Sequence, residues 1–211
     1  MGTTKIIKYA VSITCVLIVF GCATSQKMNN EDRAQLHSVR ITESVKEGEV
    51  FLLHPGDAKN TLILGAIGGA IGGASITDAQ HAFNNFTNKQ SIFIGKIVRE
   101  EIEQALRNSG KLTIADSGNA SVPTINIIVP QYGFGVPHLF SSHVLPVLQI
   151  RCEMIDPSGK LIWRASDRLL PSIMSPMEPI AWDQLRDNPK EIGEQWHKAS
   201  KYLAQKIIDK L

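Results

Sequence analysis

"QSIFIGKIVREEIEQALRNSG", residues 90–110, is the most regular stretch of the chain and decides the fold. Its apolar residues recur at intervals of three and four, which is the spacing of one face of an α-helix. Gly110 follows the last of them and is a typical helix stop. The stretch therefore predicts an amphipathic helix that packs on a second layer. Its core-facing residues are predicted to be Ile94, Ile97, Val98, Ile102, Ala105 and Leu106.

Strands are predicted on both sides of this helix, because apolar residues there alternate with polar ones or form short continuous runs. The sequence "DPSG" at 156–159 is typical of a hairpin turn between the last two strands. The predicted strands lie within residues 38–45, 47–57, 111–116, 123–134, 145–156 and 160–166.

A final helix is predicted from Asn188, with Pro189 at its first position and Glu191 completing a capping box. The order of strands, helix, strands, helix predicts an α+β fold, in which a mixed β-sheet is covered on one side by helices. The inner face of the last helix is predicted to carry Ile192, Trp196, Ala199, Leu203 and Ile207. The sheet is predicted to add Ile127, Val129, Leu148, Ile150, Ile162 and Trp163 to the same core.

The run from 92 to 166, with "IVREEIEQALRNSGKLTIAD" and "LPVLQIRCEMIDPSGKLIWRAS", resembles a group of uncharacterised proteobacterial outer-membrane lipoproteins with a glycine-zipper segment. Its order of elements is also similar to the small α/β domain at the N-terminus of TolB and in CsgG-type curli-secretion lipoproteins. This resemblance implies a TolB N-terminal-like domain, and a binding or assembly module more readily than an enzyme. Fold similarity does not by itself transfer a function.

The first residues resemble a secretory leader. Lys5 and Lys8 precede the apolar run "YAVSITCVLIVF", which is too short for the roughly twenty residues of a spanning helix. "VFGC" then resembles the lipobox of bacterial lipoproteins, whose cysteine is acylated and becomes the new N-terminus. We therefore expect residues 1–21 to be a signal peptide and Cys22 to carry the lipid. Ala23, where an aspartate would retain the protein in the inner membrane, resembles lipoproteins sorted to the outer membrane.

Charge and length limit the remaining possibilities. The chain has 22 basic and 20 acidic residues, and two of the basic ones leave with the leader, so the mature chain is close to neutral. A nucleic-acid partner is therefore not expected. Residues 22–35 contain few apolar side chains and predict a lipidated flexible tether. Residues 36–211 are expected to form a single domain.

The stretch "TLILGAIGGAIGGASI", residues 61–76, lacks the glycine and lysine pattern of a phosphate-binding loop. On a helix its glycines would share one face, which permits close backbone approach at the cost of helix propensity. Two interpretations remain open at this point. The glycine face packs on its own domain, or it mediates self-association or membrane contact. The residues concerned are Gly65, Gly68, Gly69, Gly72 and Gly73.

Residues with catalytic or metal-binding chemistry are scattered. Among the six histidines there is no H-x-x-x-H spacing, and His138 and His143 lack an evident third ligand, so no metal and no cofactor are expected. Cys15 leaves with the leader and Cys22 is consumed by lipidation, which leaves Cys152 alone. A strand-like run surrounds Cys152, which predicts a buried small hydrophobe rather than a reactive thiol. An enzyme is not expected.

The segment from 134 to 146 is unusually apolar for a connection between two strands. It predicts either a cover for the edge of the core or a partner-binding loop, whose candidate residues are Phe134, Val136, His138, Leu139 and Phe140.

Taken together, these patterns lead us to expect an envelope lipoprotein that binds or scaffolds other envelope components at the periplasmic face of the outer membrane. The alternative is a self-assembling subunit of a secretion or membrane complex, with the glycine helix as the oligomer contact. An envelope hydrolase is the third class.

Overall fold

A computed structural model describes residues 25–52, 76–138 and 140–211. The leader, Cys22, the five glycines and Leu139 lie outside these residues. Within them, strands and helices form an α+β domain with a mixed sheet, as the sequence predicted. The helices are α1 Asn30–Gln35, α2 Ile76–Lys89, α3 Ile94–Ser109, α4 Trp182–Asp187 and α5 Lys190–Asp209. The strands are β1 Ser38–Ile41, β2 Lys46–Leu52, β3 Thr113–Ile114, β4 Thr124–Gly135, β5 His143–Ile155, β6 Leu161–Leu169 and β7 Ile180–Ala181.

The long strands β4 and β5 form the centre of the sheet, whose main order is β3-β1-β4-β5-β6. β1 and β2 lie one after the other along the same edge of β4, and both run parallel to it. β5 is antiparallel to β4, and its other edge carries β6 and then β7. We call the end of the sheet where β4 and β6 finish the loop end. We call the opposite end, with the turn between β5 and β6, the hairpin end.

Helices α3 and α5 pack against each other and cover one face of the sheet. Their apolar faces match the spacing predicted from the sequence, and Gly110 ends α3 in the left-handed conformation with φ of 62°. The opposite sheet face carries half-buried polar side chains such as Arg151, Glu153 and Arg164. The predicted core is confirmed, because each of its residues is buried: Ile94, Ile97, Val98, Ala105, Leu106, Ile127, Val129, Leu148, Ile150, Ile162, Trp163 and Leu203.

An aromatic cluster joins α2, β4 and α5. Trp196 of α5 is completely buried and lies edge-on to Phe83 of α2 and to Tyr132 of β4, with ring centroids 5.8 and 5.6 Å apart. Phe134 of β4 stacks on the same indole at 6.0 Å, with 15° between the ring planes. Such pairs contribute about 0.5–1.5 kcal/mol each beyond the area that they bury. The cluster therefore fixes α2, which the sequence did not predict, against the end of β4.

Two helix starts have contacts that the sequence did not predict. The side chain of Asn188 does not cap α5, since the helix begins at Lys190 and residue 188 closes the preceding α4. The amide of Gly95 in the first turn of α3 donates to the Glu47 carboxylate at 3.0 Å. That acceptor comes from β2, so the α3 cap is a tertiary contact. A carboxylate at this position also interacts favourably with the helix dipole.

The predicted tether is shorter than residues 22–35, because the chain lies on the domain from Ser25 onward. Gln26 pairs with Arg164 at the edge of β6 through two backbone hydrogen bonds of 2.8 and 3.0 Å. Met28 is buried in the core. Asn29 then caps α1, which the low apolar content of this stretch did not suggest. The few apolar side chains of this stretch are enough to hold it on the domain, because the domain supplies the surface that covers them.

Candidate functional site

Two loops enclose a cleft of about 550 Å³ at the loop end of the sheet. One loop, residues 136–142, joins β4 to β5, and the other, residues 170–179, joins β6 to β7. Side chains from both loops line the cleft, among them His138, Ser141, Ile173 and Met177. Segments about 35 residues apart in sequence thus form one surface.

Apolar side chains of the two loops that enclose this cleft are exposed to solvent. Phe140 is 95% exposed, Met174 is 89% exposed and Ile173 is 80% exposed. Leu170, at the end of β6, is 46% exposed. We call these four residues the apolar rim. In the described part of the chain, large hydrophobic side chains are exposed elsewhere only at Phe93, and a concentration of this kind marks contact with a protein or a membrane.

The predicted partner loop divides into buried and exposed residues. Phe134 and Val136 are 1% and 7% exposed, so their assignment as partner contacts was wrong. The physical reason is that β4 continues to Gly135, which directs Phe134 onto Trp196 in the core. His138 and Phe140 are exposed and remain candidates, whereas Leu139 lies outside the described residues. Part of the segment thus covers the core, and part of it forms the rim.

Glycines in β4 allow β2 and the 170–179 loop to lie close against the end of this strand. A Cβ atom at Gly135 would lie 2.8 Å from Cγ of Pro171 and 2.9 Å from Cε1 of Phe51. Gly133 has φ of 141°, and a Cβ there would collide with the Phe51 carbonyl oxygen. Side chains at either position would push β2 or the 170–179 loop away. The shape of the cleft therefore depends on bare backbone at the end of β4.

Hydroxyl groups around the cleft are used to shape its loops. Ser141 donates through Oγ to the His143 carbonyl at 2.9 Å and accepts from the His143 amide at 3.0 Å. Ser172 and Ser175 accept from the amides of Met174 and Met177, each at 3.2 Å. Side chains engaged in this way stabilise turns.

His138 and His143, for which the sequence showed no third ligand and predicted no metal site, both line this cleft. Among the described residues, however, no group of three or more His, Cys, Asp or Glu side chains is placed to hold a metal ion. Cys152 is completely buried, which confirms the prediction of a small hydrophobe. Burial, and secondarily the charge of Glu153, raise the pKa of its thiol to about 12. The thiolate required for nucleophilic attack is therefore scarce at neutral pH.

A second cleft, of about 410 Å³, lies between β2 and the start of α3 and is lined by four glutamates. Glu47 caps α3, and Glu103 pairs with Arg99 at 3.0 Å. Lys96 and Glu100 form a longer pair of 3.9 Å on the same helix. These contacts account for three of the four glutamates as a helix cap and as ion pairs on the surface of α3.

Sequence reasoning missed the 170–179 loop, "LPSIMSPMEP", which contributes most of the apolar rim. Its apolar residues have neither a helical nor a strand period, so they gave no structural signal. An available clue was the presence of two methionines and an isoleucine among three prolines, a composition that forms no regular element and yet is not hydrophilic.

No protein-family model matches the chain, and no curated protein matches it significantly. Among solved structures, a PelC dodecamer from Paraburkholderia phytofirmans is similar over 88% of this chain and 95% of that chain, with 12% identity and a TM-score of 0.36. A likeness this distant carries no argument about function. Within the described ranges, no helix has both the length and the apolarity needed to cross a bilayer.

Proposed function

We propose that this protein is a lipid-anchored lipoprotein of the bacterial outer membrane, which acts as a binding or scaffolding module at the periplasmic face. The observation that carries the proposal is the leader, in which two lysines and an apolar run end in "VFGC" at residues 19–22. Acylation of Cys22 would hold the domain close to the membrane, because the folded chain begins only three residues later.

The apolar rim and its cleft support a binding role for the domain. A rim of exposed side chains next to a preformed concave surface is the usual form of a contact site. The polar groups at the cleft are engaged in turns, and the buried thiol is unreactive, so the chemistry of the surface suits association better than catalysis.

A second function, self-assembly into a secretion or membrane complex, is favoured by the spacing of the glycines in residues 61–76. The two functions differ in the expected size of the protein. The acylated chain and a form lacking residues 61–76 would be compared in detergent by light scattering. A particle mass that is several times that of one chain and falls on deletion supports assembly. A mass of one chain for both forms contradicts it.

The anchor is tested by growing cells with radioactive palmitate. Cys22→Ser is expected to abolish labelling and to release the protein from the membrane pellet. Cys15→Ser is a matched control, because Cys15 leaves with the leader and its loss should change neither result. Undiminished labelling of the Cys22→Ser protein would overturn the proposed anchor.

A further inference from the structure

The two histidines of the cleft at the loop end are joined there by a possible metal ligand from the other loop. His138 and His143 line the cleft from the segment between β4 and β5, and Met177 lines it from the 170–179 loop. Two imidazoles and a thioether thus border one cavity of about 550 Å³. The sequence showed no third ligand for the histidines, because only the fold brings Met177 to them from a separate segment.

Hydrogen bonds hold the backbone at all three positions. The His138 carbonyl accepts from the Ser141 amide at 3.0 Å, which closes the turn that carries this histidine. Ser141 Oγ in turn donates to the His143 carbonyl at 2.9 Å and accepts from the His143 amide at 3.0 Å. The Met177 amide donates to Ser175 Oγ at 3.2 Å. The three side chains therefore start from hydrogen-bonded turns, which limits the positions that their donor atoms can take.

The imidazole of His143 has a neighbour that leaves one ring nitrogen for a metal. Its Nδ1 lies 3.1 Å from Ser142 Oγ. A hydrogen bond at one ring nitrogen sets the tautomer and the ring orientation, and the other nitrogen then binds the metal. In the tautomer whose Nδ1–H donates to this hydroxyl, Nε2 carries the free lone pair. Ser142 thus acts as the outer partner that a metal-binding histidine requires.

The rest of the cleft lining decides which kind of cation the ligands suit. In the described part of the chain, no Asp, Glu, Lys or Arg lines the cleft, and its serine hydroxyls are engaged in the loop turns. Calcium and magnesium require oxygen ligands, above all carboxylates. Zinc in proteins takes Cys, His and carboxylate ligands rather than a thioether. Imidazole and thioether together suit copper, and the soft thioether selects its monovalent form.

We propose that this cleft binds one monovalent copper ion, with a ring nitrogen of His138, Nε2 of His143 and Sδ of Met177 as its ligands. The proposal goes beyond a binding or scaffolding role, and it holds whether or not Cys22 is acylated. A bound ion joins the 136–142 connection to the 170–179 loop, because its ligands come from both sides of the cleft. Copper therefore stabilises the two loops that carry the apolar rim.

Competition with bicinchoninate, a chelator whose Cu(I) complex is coloured, measures the binding. The full-length protein in mild detergent is first treated with maleimide, which blocks every accessible thiol, and Cu(I) is then added under argon with ascorbate. Cys152 is completely buried and offers no competing ligand. We expect one Cu(I) per chain, and X-ray absorption at the copper edge should show a sulfur neighbour together with nitrogen neighbours.

Variants of the three ligands identify the site. Met177→Leu removes the sulfur and keeps a side chain of similar volume, so it should weaken Cu(I) binding at least about tenfold and abolish the sulfur signal without unfolding the protein. His138→Gln and His143→Gln should each weaken binding at least about tenfold. Met174→Leu is a matched control on the same loop, 89% exposed and outside the cleft lining. His37→Gln, an exposed histidine at the hairpin end, is the second control, and both controls should bind Cu(I) unchanged.

Thermal melting of each variant with and without Cu(I) completes the test. Cu(I) should raise the melting temperature of the unaltered protein and of both controls, and leave that of the three ligand variants unchanged. The proposal is overturned if the unaltered protein retains no Cu(I) against bicinchoninate, or if Met177→Leu binds as tightly as the unaltered protein. A loss of affinity in the controls as large as in the ligand variants also overturns it, because the copper would then be bound outside this cleft.

Discussion

Replacing Phe134 or Phe140 by alanine separates the core from the rim within one short segment. Both residues are phenylalanines of the apolar 134–146 stretch, yet Phe134 is 1% exposed and Phe140 is 95% exposed. Phe134 also stacks on Trp196 at 6.0 Å. The two substitutions remove the same atoms, so any difference in stability comes from tertiary environment alone.

The magnitude follows from the area that is buried. A buried phenylalanine removes about 150–250 Å² from water, which corresponds to about 4–6 kcal/mol as an upper estimate. The alanine side chain retains part of this free energy of burial, and Phe→Ala substitutions in cores reduce the free energy of unfolding by about 3–5 kcal/mol. We expect a loss of that size for Phe134→Ala. For Phe140→Ala we expect a change within about 0.5 kcal/mol, because nothing covers the side chain.

Urea denaturation in mild detergent, followed by tryptophan fluorescence, measures both variants. Trp163, Trp182 and Trp196 are all buried and should shift to the red on unfolding. A loss of about 3–5 kcal/mol is a large fraction of the about 5–15 kcal/mol of a typical domain. Similar stabilities for the two variants, or a larger loss at Phe140, would refute the division of this segment into core and rim.

Three further predictions concern other regions. The Cys152 thiol should stay unmodified by maleimide in the native mature protein at neutral pH and react only after denaturation, because burial raises its pKa to about 12; rapid native labelling would contradict this. Burial by itself would raise the pKa of Asp167, but the hydrogen bonds from Lys210 and from the Arg168 amide, together with the charges of Lys210 and Lys206, outweigh it and lower the pKa below its usual value. The stabilisation that the ionised Asp167 carboxylate contributes is therefore present above about pH 4 and is lost as the pH falls through the lowered pKa. Lys210→Met should destabilise the protein at pH 7 and make its free energy of unfolding, measured by urea titration, less dependent on pH below about 4. An unchanged pH profile would contradict the role of this ion pair. Gly69→Leu should disrupt oligomer size or thermal stability far more than Gly69→Ala if backbones approach closely there, and equal behaviour of both variants in size and melting would contradict close packing.

The sequence predicted strands β1 to β6 and the two long helices α3 and α5, because their apolar residues recur with the period of a strand or a helix or form short apolar runs; it did not predict β7 or α2. In α3 the apolar residues from Ile94 to Leu106 recur at helical spacing, and all of them are buried. β4 and β5 alternate strongly enough to reveal their inward faces. Short helices were not predicted, because α1 and α4 have six residues each and are stabilised by contacts with the domain.

The features that the sequence determined by itself depend on short stretches of the chain. The face of α3, the stop at Gly110 and the burial of Cys152 follow from patterns within about twenty residues, and the leader that ends in Cys22 is a prediction from a pattern of similar length. Only the tertiary structure decided which phenylalanine belongs to the core, because Phe134 is buried by a tryptophan 62 positions away. It also decided that Glu47 caps α3, that Gln26 lies on β6, and that loops about 35 residues apart form one apolar rim. These arrangements depend on contacts between distant segments, and such contacts exist only once the sheet has brought the ends of β2, β4 and β6 to one place.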